Sequence, residues 1–473
     1  MKLAELIAEY EACTHGKILE IVGLSEDLDI TGLNFDSRKV TAGDLYFCIT
    51  GHIHDGHEYA QKALEAGAIA LVVEREIDVP LTQILVENAR EAMAYISCAF
   101  FGFPSKDIKI IGVTGTNGKT TTTQLINQIL NTSGIASESI GTLDGALTTP
   151  EAPNLQSKFR TLANAGIKSI VMEVSSHALS QHRTTGTEFD IGVFTNLSHD
   201  HLDYHADIEG YFKTKCSLFA PSRCKSAVIN TDDPFGLRLA DLVDIESVGV
   251  SPKNVEVVDE RFDGTTLLWN GRKVELQVSG RFNIDNALLA ASTCQLLGIE
   301  DDGIINGLEA AKPVPGRFEV LESSGENPTI IVDYSHTPAG IENVLKAVQS
   351  IDSNARTSIV FGCGGNRDSS KRPEMARTAE TYADQVIVTS DNPRNEDPEM
   401  IIEQAMSGFK NPEAVIIEVD REAAITRAIT SSQAGEVVVI AGKGDETTQE
   451  ISGKLEPFDD RVIALNVLQG GIK

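Results

Sequence analysis

Residues Thr114 to Thr121 read Thr-Gly-Thr-Asn-Gly-Lys-Thr-Thr, an order of small residues, one lysine and hydroxyls that suits a phosphate chain. Backbone N–H groups in a glycine turn and a helix N-terminus cradle phosphates, a lysine reaches the β- and γ-phosphates, and a threonine offers an oxygen to Mg²⁺. The candidate ATP-binding loop is therefore Gly115, Thr116, Asn117, Gly118, Lys119, Thr120 and Thr121, with Val113 standing where the strict pattern has its first glycine. Moving a γ-phosphate also requires its charge to be neutralised, by hard oxygen ligands around Mg²⁺ and by cations aimed at the phosphoryl group. Glu173, the run Asn196 to His205, and Arg317 in Val-Pro-Gly-Arg-Phe-Glu are of the right types. His199, His201 and His205 follow an i, i+2, i+6 spacing, which is not a standard zinc pattern.

These residues need strands and helices to bring them together. Residues 1–104 alternate short β-like runs (DLYFCIT, AIALVVE, TQILVE) with helical stretches such as HEYAQKALEAG and AREAMAYISCAFFG, ending at Phe103-Pro104-Ser105. From 105 to 314 the apolar run Ile108 to Val113 leads through the glycine turn into the helix TTTQLINQILNTSG, followed by strands SIVMEVS, IGVFTNL and SAVINTD. From 315 to 473 the rhythm repeats with TIIVDYS, SIVFGCG, QVIVTSD, AVIIEVD and EVVVIAG. The expected fold class is α/β in three domains: a small N-terminal α/β domain, a central P-loop domain with a mostly parallel sheet, and a C-terminal Rossmann-like domain. In such sheets ligands gather at the carboxyl ends of the strands. GCGGNRDSSKRPEM, TSDNPRNEDPEM and AGKGDETT each follow a strand, so Arg367, Asp391, Asn392, Pro393, Arg394, Gly442 and Glu446 should converge at one sheet edge.

Composition sets the outer limits. A chain of 473 residues exceeds one ordinary core, and 41% hydrophobic with 23% charged residues is the balance of a globular protein. Forty basic against 69 acidic side chains give a formal charge of -29, which removes the footprint of a nucleic-acid binder. The N-terminal run carries Glu5, Glu9 and Glu11 and no apolar signal region, and nothing approaches the ~18 apolar residues of a membrane span. The expectation is a cytoplasmic protein with no transmembrane segment, a monomer, whose seven scattered cysteines are reduced.

The loop TGTNGKTT resembles that of the Mur ligases and of the related folylpolyglutamate synthetases, and the order of the remaining motifs is similar to the former over essentially the whole chain. The resemblance implies an ATP-dependent amide ligase with Mg²⁺ as cofactor, in which Thr120, Glu173, His201 and Lys215 serve the metal, Lys215 as a carbamylated lysine in YFKTKCSLF. It implies Asn283 and Asn286 in GRFNIDN, Asp333 and His336 in DYSHTP, and Arg317 on the ATP side, and Lys119, Lys215, Arg317 and His201 as the catalytic set. Phe35, Ser37, His52, Ile53 and His54 correspond to positions on the uridine diphosphate end of a muramyl-dipeptide nucleotide. Thr148, Thr149, Ser175, Gln181 and Arg183 correspond to positions on the rest of it. Leu147 stands where some relatives have asparagine.

DNPR is similar to the members that add meso-diaminopimelate, an amino acid that differs from lysine by a second carboxylate. Arginine grips carboxylates bidentately, so Arg367 and Arg394 are the expected carboxylate binders and Glu446 the ammonium partner. GKGDE departs from the familiar GKGHE at Asp445. The implied substrates are ATP, UDP-N-acetylmuramoyl-L-alanyl-D-glutamate and meso-diaminopimelate, in peptidoglycan synthesis. The alternatives are a lysine-adding or folate-type ligase, or a non-catalytic ATP-binding module.

Overall fold

The computed structural model describes residues 1–13, 18–23, 28–51, 54–145, 147–321 and 327–470. His52 and Ile53 lie outside the described residues.

Three α/β units follow one another along the chain. In the first, Gly32–Asn34, Asp44–Phe47, Ala70–Val73 and Thr82–Leu85 run parallel, and Glu20–Val22 closes the far edge antiparallel to Thr82–Leu85. In the second, six parallel strands take the order Glu246–Val250, Cys224–Asn230, Phe189–Phe194, Lys109–Thr114, Ser169–Glu173, Ser137–Ile140. In the third, Glu319–Leu321 pairs antiparallel with Thr329–Asp333, and Val437–Ala441, Thr357–Cys363, Gln385–Ser390 and Ile416–Ile417 continue in parallel.

Parallel strands covered on both faces have no solvated side, so they read as continuous apolar runs rather than alternating ones. Ser169–Glu173 and Thr357–Cys363 are buried at every position. Two apolar clusters flank the central sheet and two flank the C-terminal one. The helix Lys119–Thr132 sets Leu125, Ile126, Ile129 and Leu130 into the first of these, on one face at i, i+1, i+4 and i+5. Each such side chain contributes roughly 1.5–3 kcal/mol of burial, which holds the phosphate loop against the sheet.

Two elements add to the expected pattern. Glu256–Arg261, Gly264–Trp269 and Arg272–Leu276 form a three-stranded antiparallel sheet, and Thr448–Ile451 pairs with Lys454–Pro457 as a hairpin. The run AVIIEVD supplies only the two-residue strand Ile416–Ile417, because Pro412–Ala414 winds as a 3₁₀ turn just before it. Among the described residues no helix is long and apolar enough to cross a membrane. All seven cysteines are free thiols, five of them buried, with Cys13 exposed.

Candidate active site

Gly115 and Gly118 shape the turn after Lys109–Thr114. Both have positive φ, 155° and 84°, and a Cβ at either would overlap a fixed neighbour, Thr195 Oγ1 and Asn286 Oδ1 respectively. Only glycine allows that approach. Lys119 opens the following helix and donates to the carbonyls of Gly115 and Thr116 at 3.1 and 2.8 Å. Lys215 reaches the same Gly115 carbonyl from behind, at 2.8 Å, with its ammonium 4.5 Å from the centre of the Tyr211 ring. Burial, together with the charge of Lys119, pushes Lys215 well below the ordinary lysine range.

Glu173 ends the neighbouring strand and is 1% exposed. Its carboxylate accepts from the Thr142 amide at 2.9 Å and the Thr142 hydroxyl at 3.3 Å, and makes no ion pair among the described residues. His201 follows the next strand with φ 55°, its amide bonded to Asp200 Oδ1 at 3.0 Å. Desolvation in the cavity wall pushes its imidazole down to about 3, so the ring is neutral and able to ligate. Mg²⁺ typically uses one or two carboxylates with phosphate oxygens and water. An unpaired buried carboxylate on the same cavity wall as Thr120 and a neutral imidazole fits that preference.

A cavity of about 980 Å³ joins these groups to the C-terminal unit. Of the residues expected on the ATP side, Thr116, Asn117, Gly118, Lys119, Thr120, Thr121, Asn286, Arg317, Asp333 and His336 line it. Thr148, Ser175 and Arg183 line another part, and Arg367, Asp391, Asn392, Arg394, Gly442 and Glu446 a third. Several expected residues stand behind this wall. Asn283 donates to Ser279 O at 2.8 Å, and Thr149 Oγ1 donates to Glu173 O at 2.8 Å. Gln181 Oε1 accepts from Arg183 at 2.8 Å. Gly115, Lys215 and Pro393 likewise support the wall from outside its lining. Phe35, Ser37 and His54 sit in the N-terminal unit, beyond this cavity, with Ser37 buried and the Tyr59 hydroxyl 3.5 Å from His54 Nδ1.

The charged groups of the site have specific neighbours. Arg317 lies 3.9 Å from the Tyr334 ring centre and 3.7 Å from Asp445, and its buried Nη1 has no hydrogen-bond partner. Asp333 accepts from the Ser335 amide at 2.8 Å and the Phe318 amide at 2.7 Å. Arg183 bonds Thr149 O and lies 3.1 Å from Glu151, which also lies 3.4 Å from Arg90 of the first unit. Asn392 donates to Glu446 Oε2 at 2.8 Å.

Three contributors lie inside the quoted motifs but were not singled out there. Lys443 is fully buried and satisfies its ammonium on Asn392 Oδ1, Glu446 Oε2 and Thr448 O at 3.2, 3.0 and 2.6 Å. Asp200 and Lys371 form a buried pair at 3.1 Å across the two larger units, with His336 Nε2 at 3.8 Å. Burial alone would raise Asp200, but His336, Lys371 and His201 outweigh it and hold the carboxyl below its usual range. No local spacing could have signalled a contact between residues 171 positions apart.

Comparison with known proteins bears on all three units. Residues 113–294 match the Mur ligase middle domain, 316–444 the Mur ligase glutamate ligase domain, and 29–100 the Mur ligase family catalytic domain. A UDP-N-acetylmuramoyl-L-alanyl-D-glutamate--2,6-diaminopimelate ligase of Geobacillus kaustophilus is 42% identical over 463 residues, covering 92% of this chain and 94% of that one. The ligase of the same name from Aquifex aeolicus is 41% identical over 457 residues, covering 93% and 94%. A solved structure of a ligase of that name aligns with a TM-score of 0.66 at 30% identity over 100% of this chain and 99% of that one. The MurF ligase of Thermotoga maritima, solved with ADP, shares the fold with a TM-score of 0.66 at 20% identity, over 94% of this chain and 99% of that one.

Proposed function

This chain belongs to the Mur ligase family, and we propose on that premise that it joins meso-diaminopimelate to the D-glutamate of UDP-N-acetylmuramoyl-L-alanyl-D-glutamate at the expense of ATP, in peptidoglycan synthesis. The observation that supports the reading is one cavity lined by residues 116–121 of the glycine loop, by Arg183 of the central unit and by Arg317, Arg367 and Arg394 of the C-terminal unit.

The substrate carboxylate oxygen attacks the γ-phosphorus, the bond to the β–γ bridging oxygen breaks, and an acyl phosphate and ADP result. The diaminopimelate amine then attacks the acyl carbon, phosphate leaves with the bonding pair, and the amine gives up a proton. Lys119 and Arg317 supply positive charge to the phosphoryl oxygens, and the unpaired Nη1 of Arg317 is a donor waiting for an acceptor. Thr120, Glu173 and His201 would hold Mg²⁺, whose charge neutralises the phosphates. Burial favours the neutral form of Lys215, whose free nitrogen pair attacks CO₂, and loss of one N–H proton leaves a carbamate. A carbamate there would add negative charge behind the loop, in support of the cation. Arg183 receives the muramyl-peptide end, while Arg367 and Arg394 receive the carboxylates of diaminopimelate and Glu446 an ammonium.

The test is phosphate release with ATP, Mg²⁺ and the muramyl-dipeptide nucleotide, comparing meso-diaminopimelate with L-lysine. Release that requires diaminopimelate is expected, along with a ¹³C-bicarbonate-derived carbamate signal that Lys215→Arg abolishes. Release with lysine alone, or with neither amino acid, would overturn the reading.

A further inference from the structure

Arg394 is held in a way the DNPR turn alone does not explain. Its φ is 53°, the left-handed region, which costs a non-glycine residue roughly 1–2 kcal/mol unless its surroundings enforce it. The hairpin Thr448–Pro457 enforces it. The Arg394 amide donates to Glu450 O at 3.0 Å and the Ser452 amide donates to Arg394 O at 2.6 Å, so the arginine backbone is stitched to the hairpin strand. Glu450 also reaches back, its amide donating to Asn392 Oδ1 at 2.9 Å.

The side chain is constrained as well. Nε lies 3.2 Å from Glu450 Oε2, and Nη1 donates to Gly365 O at 2.7 Å. A guanidinium has five N–H groups and can grip a carboxylate side-on, through Nε and Nη, or end-on, through Nη1 and Nη2. Glu450 stands beside Nε and Gly365 O takes one Nη1 hydrogen, so the hydrogens left for a ligand are one on Nη1 and two on Nη2. Arg394 lines the cavity, whereas Glu450 stands outside the lining, with its side chain 35% exposed.

We propose that Glu450 is a specificity-determining positioning residue: it presents the end-on fork of Arg394 to the distal carboxylate of a diamino dicarboxylic acid. The inference rests on the diaminopimelate reading above. Glu450 acts through Arg394 and does not touch the substrate, so its effect falls on one substrate only.

Steady-state kinetics of the full chain with Glu450→Ala and Glu450→Gln provide the test. Glu450→Ala is expected to raise KM for meso-diaminopimelate about fivefold, the scale of one partly exposed ion pair, while kcat and the KM values for ATP and the muramyl-dipeptide nucleotide hold within about twofold. Preference for diaminopimelate over L-lysine should fall by the same factor, because lysine has no distal carboxylate to lose. Glu450→Gln, which keeps an oxygen beside Nε, should recover part of it. An unchanged or lowered KM for diaminopimelate, or an equal rise for all three substrates, would overturn the proposal. If the unsubstituted protein used lysine, the functional reading itself would fail; if it used diaminopimelate and Glu450→Ala kept that preference, only this inference would.

Discussion

Asp285 sits in the cavity wall beside Arg281, 3.4 Å away, with one buried carboxylate oxygen lacking a hydrogen-bond partner. Burial pushes this carboxyl up to about 6, against a partial pull downward from Arg281. A folded-state pKa above the ordinary 3.8 means that the fold favours the protonated form. The stability it contributes is complete below about 4 and is lost as pH rises through 6. Asp285→Asn should therefore melt higher than the parent at pH 7, with the gain vanishing near pH 4; a constant gain across that range would exclude titration as its cause. At this scale the sequence was legible where a motif carries its own chemistry. Lys119, Glu173 and Arg317 could be picked out by type and context, and all three line one cavity. Lys443, Glu450 and the Asp200–Lys371 pair could not, since each acts through a partner that only the fold supplies. Asp445, visible in the sequence only as a departure, lies 3.7 Å from Arg317.

Among the elements, the sheet formed by residues 256–276 allows a clean separation of stability from chemistry. Gly264–Trp269 and Arg272–Leu276 are joined by Asn270-Gly271, both with positive φ, 50° and 72°, as a two-residue hairpin turn requires. A Cβ at Gly271 would meet nothing within 4 Å, so Gly271→Ala carries only the backbone cost of a left-handed alanine, about 1 kcal/mol. The described lining of the cavity includes none of these residues. A small drop in denaturant midpoint with unchanged phosphate release is expected, and a parallel loss of activity would mean that this sheet bears on the site. The Asn270-Gly271 pair is a strong hairpin signal, yet the sheet was not foreseen because its outer strands are charged and largely exposed, unlike the apolar parallel ones around it. Runs such as SIVFGCG were unambiguous because burial on both faces leaves no other reading of so apolar a segment. AVIIEVD looked equally strong, but an edge position with a 3₁₀ turn before it leaves only two residues to pair.

For the whole molecule, the question is what seats the C-terminal unit on the central one. Apolar contact contributes, as Phe282 and Phe318 meet edge to face with centroids 5.8 Å apart. Polar contact contributes more specifically: Lys371 reaches Asp200 at 3.1 Å as an ion pair, and His199 lies 3.4 Å from Asp368 and 3.3 Å from Glu374. Asp200 is 4% exposed, so removing Lys371 leaves a carboxylate in the interface with its nearest cation gone. Such a loss costs about 3 kcal/mol, whereas removing both charges together costs far less, because no lone ion remains to be desolvated. Lys371→Met should therefore loosen the two units, seen by scattering as a larger radius of gyration and by melting as a lower midpoint. The double variant Lys371→Met with Asp200→Asn should recover most of both. If the proposed function holds, adding ATP and the muramyl-dipeptide nucleotide to Lys371→Met should shrink the particle again, because ligands that contact both units favour the state in which the units meet. Scattering curves that coincide for parent and Lys371→Met, with and without substrates, would assign the seat to the Phe282–Phe318 contact and its apolar neighbours instead.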